Sequence, residues 1–237
     1  MRLDKFISEN LPCTRSEARA HIQKSRVTVN GVVVKKADTA VTGEEEITAA
    51  GKPLTKREQF VYIMLNKPDG VVSASEGRGE EITVVDLVKA DFPRRQLFPA
   101  GRLDKTSTGF VLITDDGVFA HDILAPKRHV PKTYVVTLDT PLTETMRQGF
   151  ADGVTLADGT ALSPAEVQPL TPDGLTVRVV LRQGVYHQIK RMFGVYGAGV
   201  NALHRTAIGG LALDEALAPG QYRLLTAAEK ALVEQRI

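Results

Sequence analysis

The sequence has one cysteine, Cys13, in 237 residues, so a disulfide within the chain and a paired-thiol metal or redox site are both excluded. Cys13 reads as a small side chain near a helix start. No apolar run approaches the roughly 20 residues that a membrane span needs, and the opening Met1-Arg2-Leu3-Asp4-Lys5 has no signal-peptide apolar core. A cytoplasmic protein without membrane contact is expected. The five histidines, His21, His121, His129, His187 and His204, are scattered, with no HExxH and no paired-Cys spacing, so no metal site is expected. A Walker phosphate loop and a GxGxxG strand-turn-helix fingerprint are also missing, which leaves no cradle for a nucleotide and no cofactor to expect. Ser107 lacks a GxSxG context, so a hydrolase triad is unsupported. A strong excess of one charge is absent too: 30 Lys and Arg stand against 28 Asp and Glu, a net charge of +2.

What bulk charge does not announce, its distribution does. Residues 1–36 carry Arg2, Lys5, Arg15, Arg19, Lys24, Arg26, Lys35 and Lys36 against only Asp4, Glu9 and Glu17. In this basic end, Leu3, Phe6 and Ile7 recur at helical spacing up to Leu11-Pro12. Thr14 and Glu17 form a capping-box pattern that opens a second helix over about 15–24, with Ala18 and Ile22 inward and Arg15 and Arg19 on another face. Val27-Thr28-Val29, Asn30-Gly31 and Val32-Val33-Val34 spell a hairpin, because a type I′ turn needs positive φ at both central positions. Helix, helix and hairpin with clustered cations suit an anchor on nucleic-acid phosphates, which needs cations and exposed N–H groups but no base reading. A docking module with merely solvated cations is the alternative.

Residues 49–59, with Gly51, Pro53 and several charges, read as a linker between this module and a larger unit over 60–237. In the larger unit the patterns predict strands over 60–65, 71–74, 110–113, 135–138, 154–156, 165–169, 175–181 and from 203. Short helices are predicted over 83–88, 118–124, 143–151 and 187–193, and a terminal helix opens at Thr226-x-x-Glu229. The fold class is α+β, with a mixed, mostly antiparallel sheet and peripheral helices.

Three features of this unit carry chemistry. Gly101-Arg102-Leu103-Asp104 places a carboxylate in a loop before the apolar run 110–113, and such an aspartate is commonly a turn former or cap. Lys127-Arg128-His129-Val130-Pro131-Lys132-Thr133-Tyr134 is a basic run ending in an aromatic at a strand head. His187 opens a helix that also carries Lys190 and Arg191. A carboxylate acting in a cleft stays ionised when a cation lies beside it, and Lys190 or Arg191 is the candidate. Tyr134 offers a ring for base stacking, and Lys127, Arg128 and Lys132 offer charge for phosphates.

Taken in order, Arg2-Leu3-Asp4-Lys5-Phe6, Val27-Thr28-Val29-Asn30-Gly31, Leu65-Asn66-Lys67-Pro68-Asp69-Gly70, Gly101-Arg102-Leu103-Asp104, Lys132-Thr133-Tyr134 and the stretch from Gly184 to Met192 resemble the ribosomal small-subunit pseudouridine synthases of the RsuA type. The resemblance implies an S4-like RNA-binding module over 1–48, with Arg2, Lys5, Arg15, Arg19, Arg26, Lys35 and Lys36 as its RNA contacts, and a catalytic domain over 60–237. It implies Asp104 as the catalytic aspartate, Tyr134 as the aromatic on the flipped uracil and Lys190 as the basic partner of Asp104. Arg102, Lys132, Arg191 and Leu203 are then candidates for substrate binding. Thr106 departs from the acid or amide common two places after the aspartate. The implied reaction converts one uridine of 16S rRNA, or of a small-subunit assembly intermediate, to pseudouridine, without metal or cofactor and as a monomer. Asp104 would attack the ribose, attack uracil C6 or abstract a ribose proton. The same chemistry on 23S rRNA, or a noncatalytic assembly factor, are the alternatives.

Overall fold

Leu3, Phe6, Ile7, Ala18, Ile22, Val27 and Ile47 bury the centre of the first of two compact units, Met1–Gln59 and Phe60–Ile237. The structure, a computed structural model, describes residues 1–54, 60–125 and 130–235. In the first unit, α1 (Leu3–Asn10) packs against α2 (Arg15–Gln23), which starts at the Thr14/Glu17 capping box. β1 (Val27–Val29) and β2 (Val32–Val33) form the expected hairpin, with Asn30 and Gly31 at φ 50° and 77°. A second hairpin joins β3 (Ile47–Ala49) to β4 (Lys52–Leu54), and the sheet order is β2-β1-β3-β4. Residues 49–54, expected in the linker, are therefore strand and turn. Ala50 and Gly51 at φ 50° and 76° make the turn, while Pro53 is tolerated because β4 is an edge strand. Residues 55–59 lie outside the described residues.

Asp4 is fully buried in this unit, although it is a carboxylate. The Arg15 guanidinium first of all, with Arg19 and Arg2, holds its carboxyl well below the usual carboxylate range against the opposing effect of burial. The three donors lie 3.1, 2.9 and 3.2 Å from its oxygens. Because the folded-state pKa is depressed, this stabilisation is present above the unfolded value of about 4 and is lost as the pH falls below it. Asp4→Asn is expected to cost roughly 1–3 kcal/mol, moderated by the half-exposed partners, and to flatten the acid limb of unfolding. Denaturant titrations of both proteins between pH 7 and 3 check this; equal pH dependence would remove Asp4 as its source.

The second unit is built on a sheet of order β13-β5-β7-β11-β8-β10-β9, comprising β5 (Tyr62–Lys67), β7 (Thr108–Thr114), β8 (Lys132–Leu138), β9 (Glu166–Pro169), β10 (Thr176–Leu181), β11 (Val200–Ile208) and β13 (Tyr222–Leu224). Short β6 (Phe98–Pro99) pairs with β7, and β12 (Leu211–Ala212) with β11. Successive residues of a strand point to opposite faces, and β7 is apolar from Phe110 to Ile113 because both faces are covered. Val111 and Ile113 join one core with α4 (Glu144–Asp152) and α5 (Gln188–Gly194). Phe110 and Leu112 join the other with α3 (Gly117–Leu124) and α6 (Ala227–Val233). The sheet is mostly antiparallel, as expected, with β7 and β11 parallel at its centre. Gly109 makes that approach possible: a Cβ there would lie 2.4 Å from the Arg205 carbonyl oxygen.

Three predicted elements are reduced to less. Residues 71–74 form no strand beyond a bridge from Val72 to Thr83, and 154–156 give only the bridge Thr155–Ala161. Residues 83–88 form hydrogen-bonded turns. There Thr83 and Asp86 exchange side-chain and backbone bonds as a capping box does, but β-branched Val84 and Val85 disfavour continuing the turn as a helix. Among the described residues no helix is long and apolar enough to cross a membrane.

Candidate active site

The loop between β6 and β7 carries Asp104, and its backbone is fixed by groups distant in sequence. Ser73 Oγ donates to the Leu103 carbonyl at 2.9 Å and accepts from the Leu103 N–H at 3.0 Å. The fully buried Lys67 ammonium donates to the carbonyls of Pro68, Lys105 and Ser107 at 2.9, 3.1 and 2.6 Å. Burial pushes the Lys67 pKa down to about 8, while the three carbonyls give its protons partners. With the backbone held by Ser73 and Lys67, the Asp104 side chain is left to face a cavity of about 620 Å³.

The two oxygens of Asp104 have different neighbours. Lys190 Nζ lies 3.5 Å from Oδ2, and His187 Nε2 lies 3.2 Å from Oδ1. Lys190 also donates to Thr106 Oγ1 at 3.3 Å, so the threonine that departs from the family pattern still contacts the cation. Tyr134, on β8, is 9% exposed and lines the same cavity. Arg205 stands opposite it on β11, its Cζ 6.0 Å from the Tyr134 ring centroid. That arginine is almost wholly buried. Its Nε donates to the Phe110 carbonyl at 2.6 Å and Nη1 to the Arg102 carbonyl at 3.4 Å, so it ties β7 to the Gly101–Asp104 turn. Its Nη2 has no partner among the described residues.

Arg102, Lys132 and Leu203 also line the cavity. Lys132, expected to meet phosphate, instead donates to the carbonyls of Ile123 and Val130 at 3.2 and 2.8 Å. Burial, with the Arg205 charge nearby, pushes its pKa down to about 8. Arg191 is not brought in: its guanidinium pairs with Asp158, away from the cavity lining. The choice between Lys190 and Arg191 as the cation beside Asp104 therefore falls to Lys190. Lys127 and Arg128 lie outside the described residues. In the first unit, Arg2, Arg15 and Arg19 converge on Asp4, Lys5 faces Glu9 at 3.7 Å, and Arg26, Lys35 and Lys36 are exposed. Asp4 thus gathers three cations into one patch with positive charge to spare.

Sequence reasoning did not single out Ser73, Lys67, His187 or Arg205 as site residues. For Arg205 a signal existed, since it shares strand parity with Leu203. His187 lies in the same Gly184–Met192 stretch as Lys190. Among the described residues no group of three or more His, Cys, Asp or Glu side chains is placed to hold a metal ion.

The arrangement offers a carboxylate with a nitrogen at each oxygen, an aromatic ring and a cavity within the roughly 300–1,000 Å³ of ligand pockets. Comparison with known proteins matches residues 61–194 to the RNA pseudouridylate synthase model and residues 1–47 to the S4 domain. The ribosomal small subunit pseudouridine synthase A of Escherichia coli is 42% identical over 235 residues, covering 98% of this chain and 100% of that one. An uncharacterized RNA pseudouridine synthase of Bacillus subtilis is 39% identical over 238 residues, covering 99% of each. A crystal structure of a pseudouridylate synthase superposes with a TM-score of 0.68 at 41% identity, covering 98% of this chain and 99% of that one.

Proposed function

The chain belongs to the RNA pseudouridylate synthase family, and from that premise we propose that it isomerises one uridine of small-subunit rRNA to pseudouridine, with Asp104 as the catalytic carboxylate. The observation that carries the reading is Asp104 on the cavity wall, within 3.5 Å of Lys190 and 3.2 Å of His187, with Tyr134 in the same lining. The names of the Escherichia coli and Yersinia pestis relatives, both 42% identical, support the small subunit as target.

In the reaction the N1–C1′ bond breaks, the uracil turns within the site, and C5 bonds to C1′. N1 ends with a proton and C5 loses one, so the product is an isomer of the substrate. Asp104 meets the nucleotide, while Lys190 and His187 orient its two oxygens. Tyr134 flanks the base that has left its stack, a departure costing a few kcal/mol. The first unit adds affinity through phosphates: the Arg2, Arg15 and Arg19 patch and the exposed Arg26, Lys35 and Lys36 supply charge without base reading.

Pseudouridine mapping of both large rRNAs from a deletion strain tests this. One pseudouridine should vanish from small-subunit rRNA and return with the wild-type gene but not with an Asp104→Asn copy. A loss confined to large-subunit rRNA overturns the target, and no loss in either overturns the activity.

A further inference from the structure

We propose that Tyr186 is a stacking platform for an unpaired nucleobase of the RNA, the one next to the flipped uridine. The inference rests on the reading of the cavity as a uridine site. Tyr186 is 71% exposed, unusual for so large a ring, yet it is not loosely placed. Its ring lies parallel to that of His187, with centroids 3.8 Å apart and planes 17° apart. The imidazole covers one face of the phenol, and the high exposure leaves the other face available.

The support beneath this ring is continuous. His187 Nε2 lies 3.2 Å from Asp104 Oδ1, so the imidazole under Tyr186 is anchored at the proposed reaction centre. His187 itself has φ 52°, a left-handed conformation that costs a non-glycine residue energy and so needs fixing from outside. Gln188 contributes: its Oε1 accepts the Val185 N–H at 3.0 Å, and its own N–H donates to the Val185 carbonyl at 3.1 Å. Asp104, His187 and Tyr186 thus form a short column on the wall of one cavity.

The chemistry of the column selects its occupant. A flat ring with one free face takes another flat ring, and every nucleobase offers one. The same cavity wall carries Arg102, a charge suited to a phosphate beside such a base. Extruding one nucleotide leaves its neighbour without a stacking partner on that side. Tyr186, one ring removed from the residue touching Asp104, is placed to replace that partner.

The test uses the full-length protein and an RNA segment spanning the uridine found by mapping, with the nucleotide on each side replaced in turn by an abasic one. Loss of a stacked base corresponds to about 1–3 kcal/mol. Tyr186→Ala should therefore raise Kd and KM about tenfold, up to about a hundredfold, with kcat at saturating RNA falling far less. Tyr186→Phe should bind as the wild type does. One abasic RNA should reproduce the loss with wild-type protein and add little to it with Tyr186→Ala, since both changes remove the same contact. A Kd for Tyr186→Ala within twofold of wild type, or additive losses for both abasic RNAs, overturns the platform. Kd measured by fluorescence anisotropy reads it without turnover, so a wild-type protein that binds the RNA and forms no pseudouridine defeats the enzymatic reading separately.

Discussion

Asp104→Asn is expected to lower pseudouridine formation by at least about 10⁴-fold, as removal of a principal reacting group does, while RNA affinity stays within a few-fold. The substitution preserves shape and removes the charge. It should also preserve the fold, because the loop around Asp104 is held by other groups. Ser73 fixes Leu103 and Lys67 binds the carbonyls of Pro68, Lys105 and Ser107, none of which involves the Asp104 carboxylate. The cations of the first unit are likewise untouched. Single-turnover assays on rRNA particles, with product read by carbodiimide primer extension or mass spectrometry, measure the effect. Product formation within tenfold of wild type would exclude Asp104 as the reacting carboxylate, and lost binding would mean that the residue holds the site together instead.

The fold was legible where the determinant is local. The capping boxes at Thr14 and Thr226, the Asn30-Gly31 turn and the run Phe110–Ile113 each contain their cause within a few residues. At 83–88 the capping-box bonds between Thr83 and Asp86 start a turn, but β-branched Val84 and Val85 disfavour its continuation as a helix. The second hairpin was obscured by Gly51 and Pro53, residues that serve a turn and an edge strand as well as a linker. In the site, Asp104, Tyr134 and Lys190 stand out in the residue pattern, take their roles from the family resemblance, and are brought to one cavity. Ser73, Lys67 and Arg205 do not stand out, because each acts on a backbone carbonyl 30 or more residues away. No motif records such a contact. Lys132 and Arg191 show the converse: a cation in the right stretch is not thereby free to meet substrate.

For Lys190→Ala a separation of effects is expected, with turnover falling about 10²–10³-fold and stability changing by less than about 1 kcal/mol. The separation follows from exposure. In the free protein the side chains of Lys190 and Asp104 are 31% and 26% exposed, so water screens the pair and its contribution to folding is small. When RNA fills the cavity that water is displaced, and the same ammonium acts on the carboxylate in a medium where charge interactions are much stronger. Lys190→Arg keeps the cation and should recover most of the loss. Arg191→Ala should cost far less than Lys190→Ala, since its guanidinium is committed to Asp158. Thermal melts and single-turnover rates on the three variants decide the matter. If Lys190→Ala destabilises the protein in proportion to the rate it loses, the lysine is a structural brace. If its rate stays within tenfold of wild type, His187 alone suffices to hold Asp104, and the role assigned here to the ammonium passes to the imidazole.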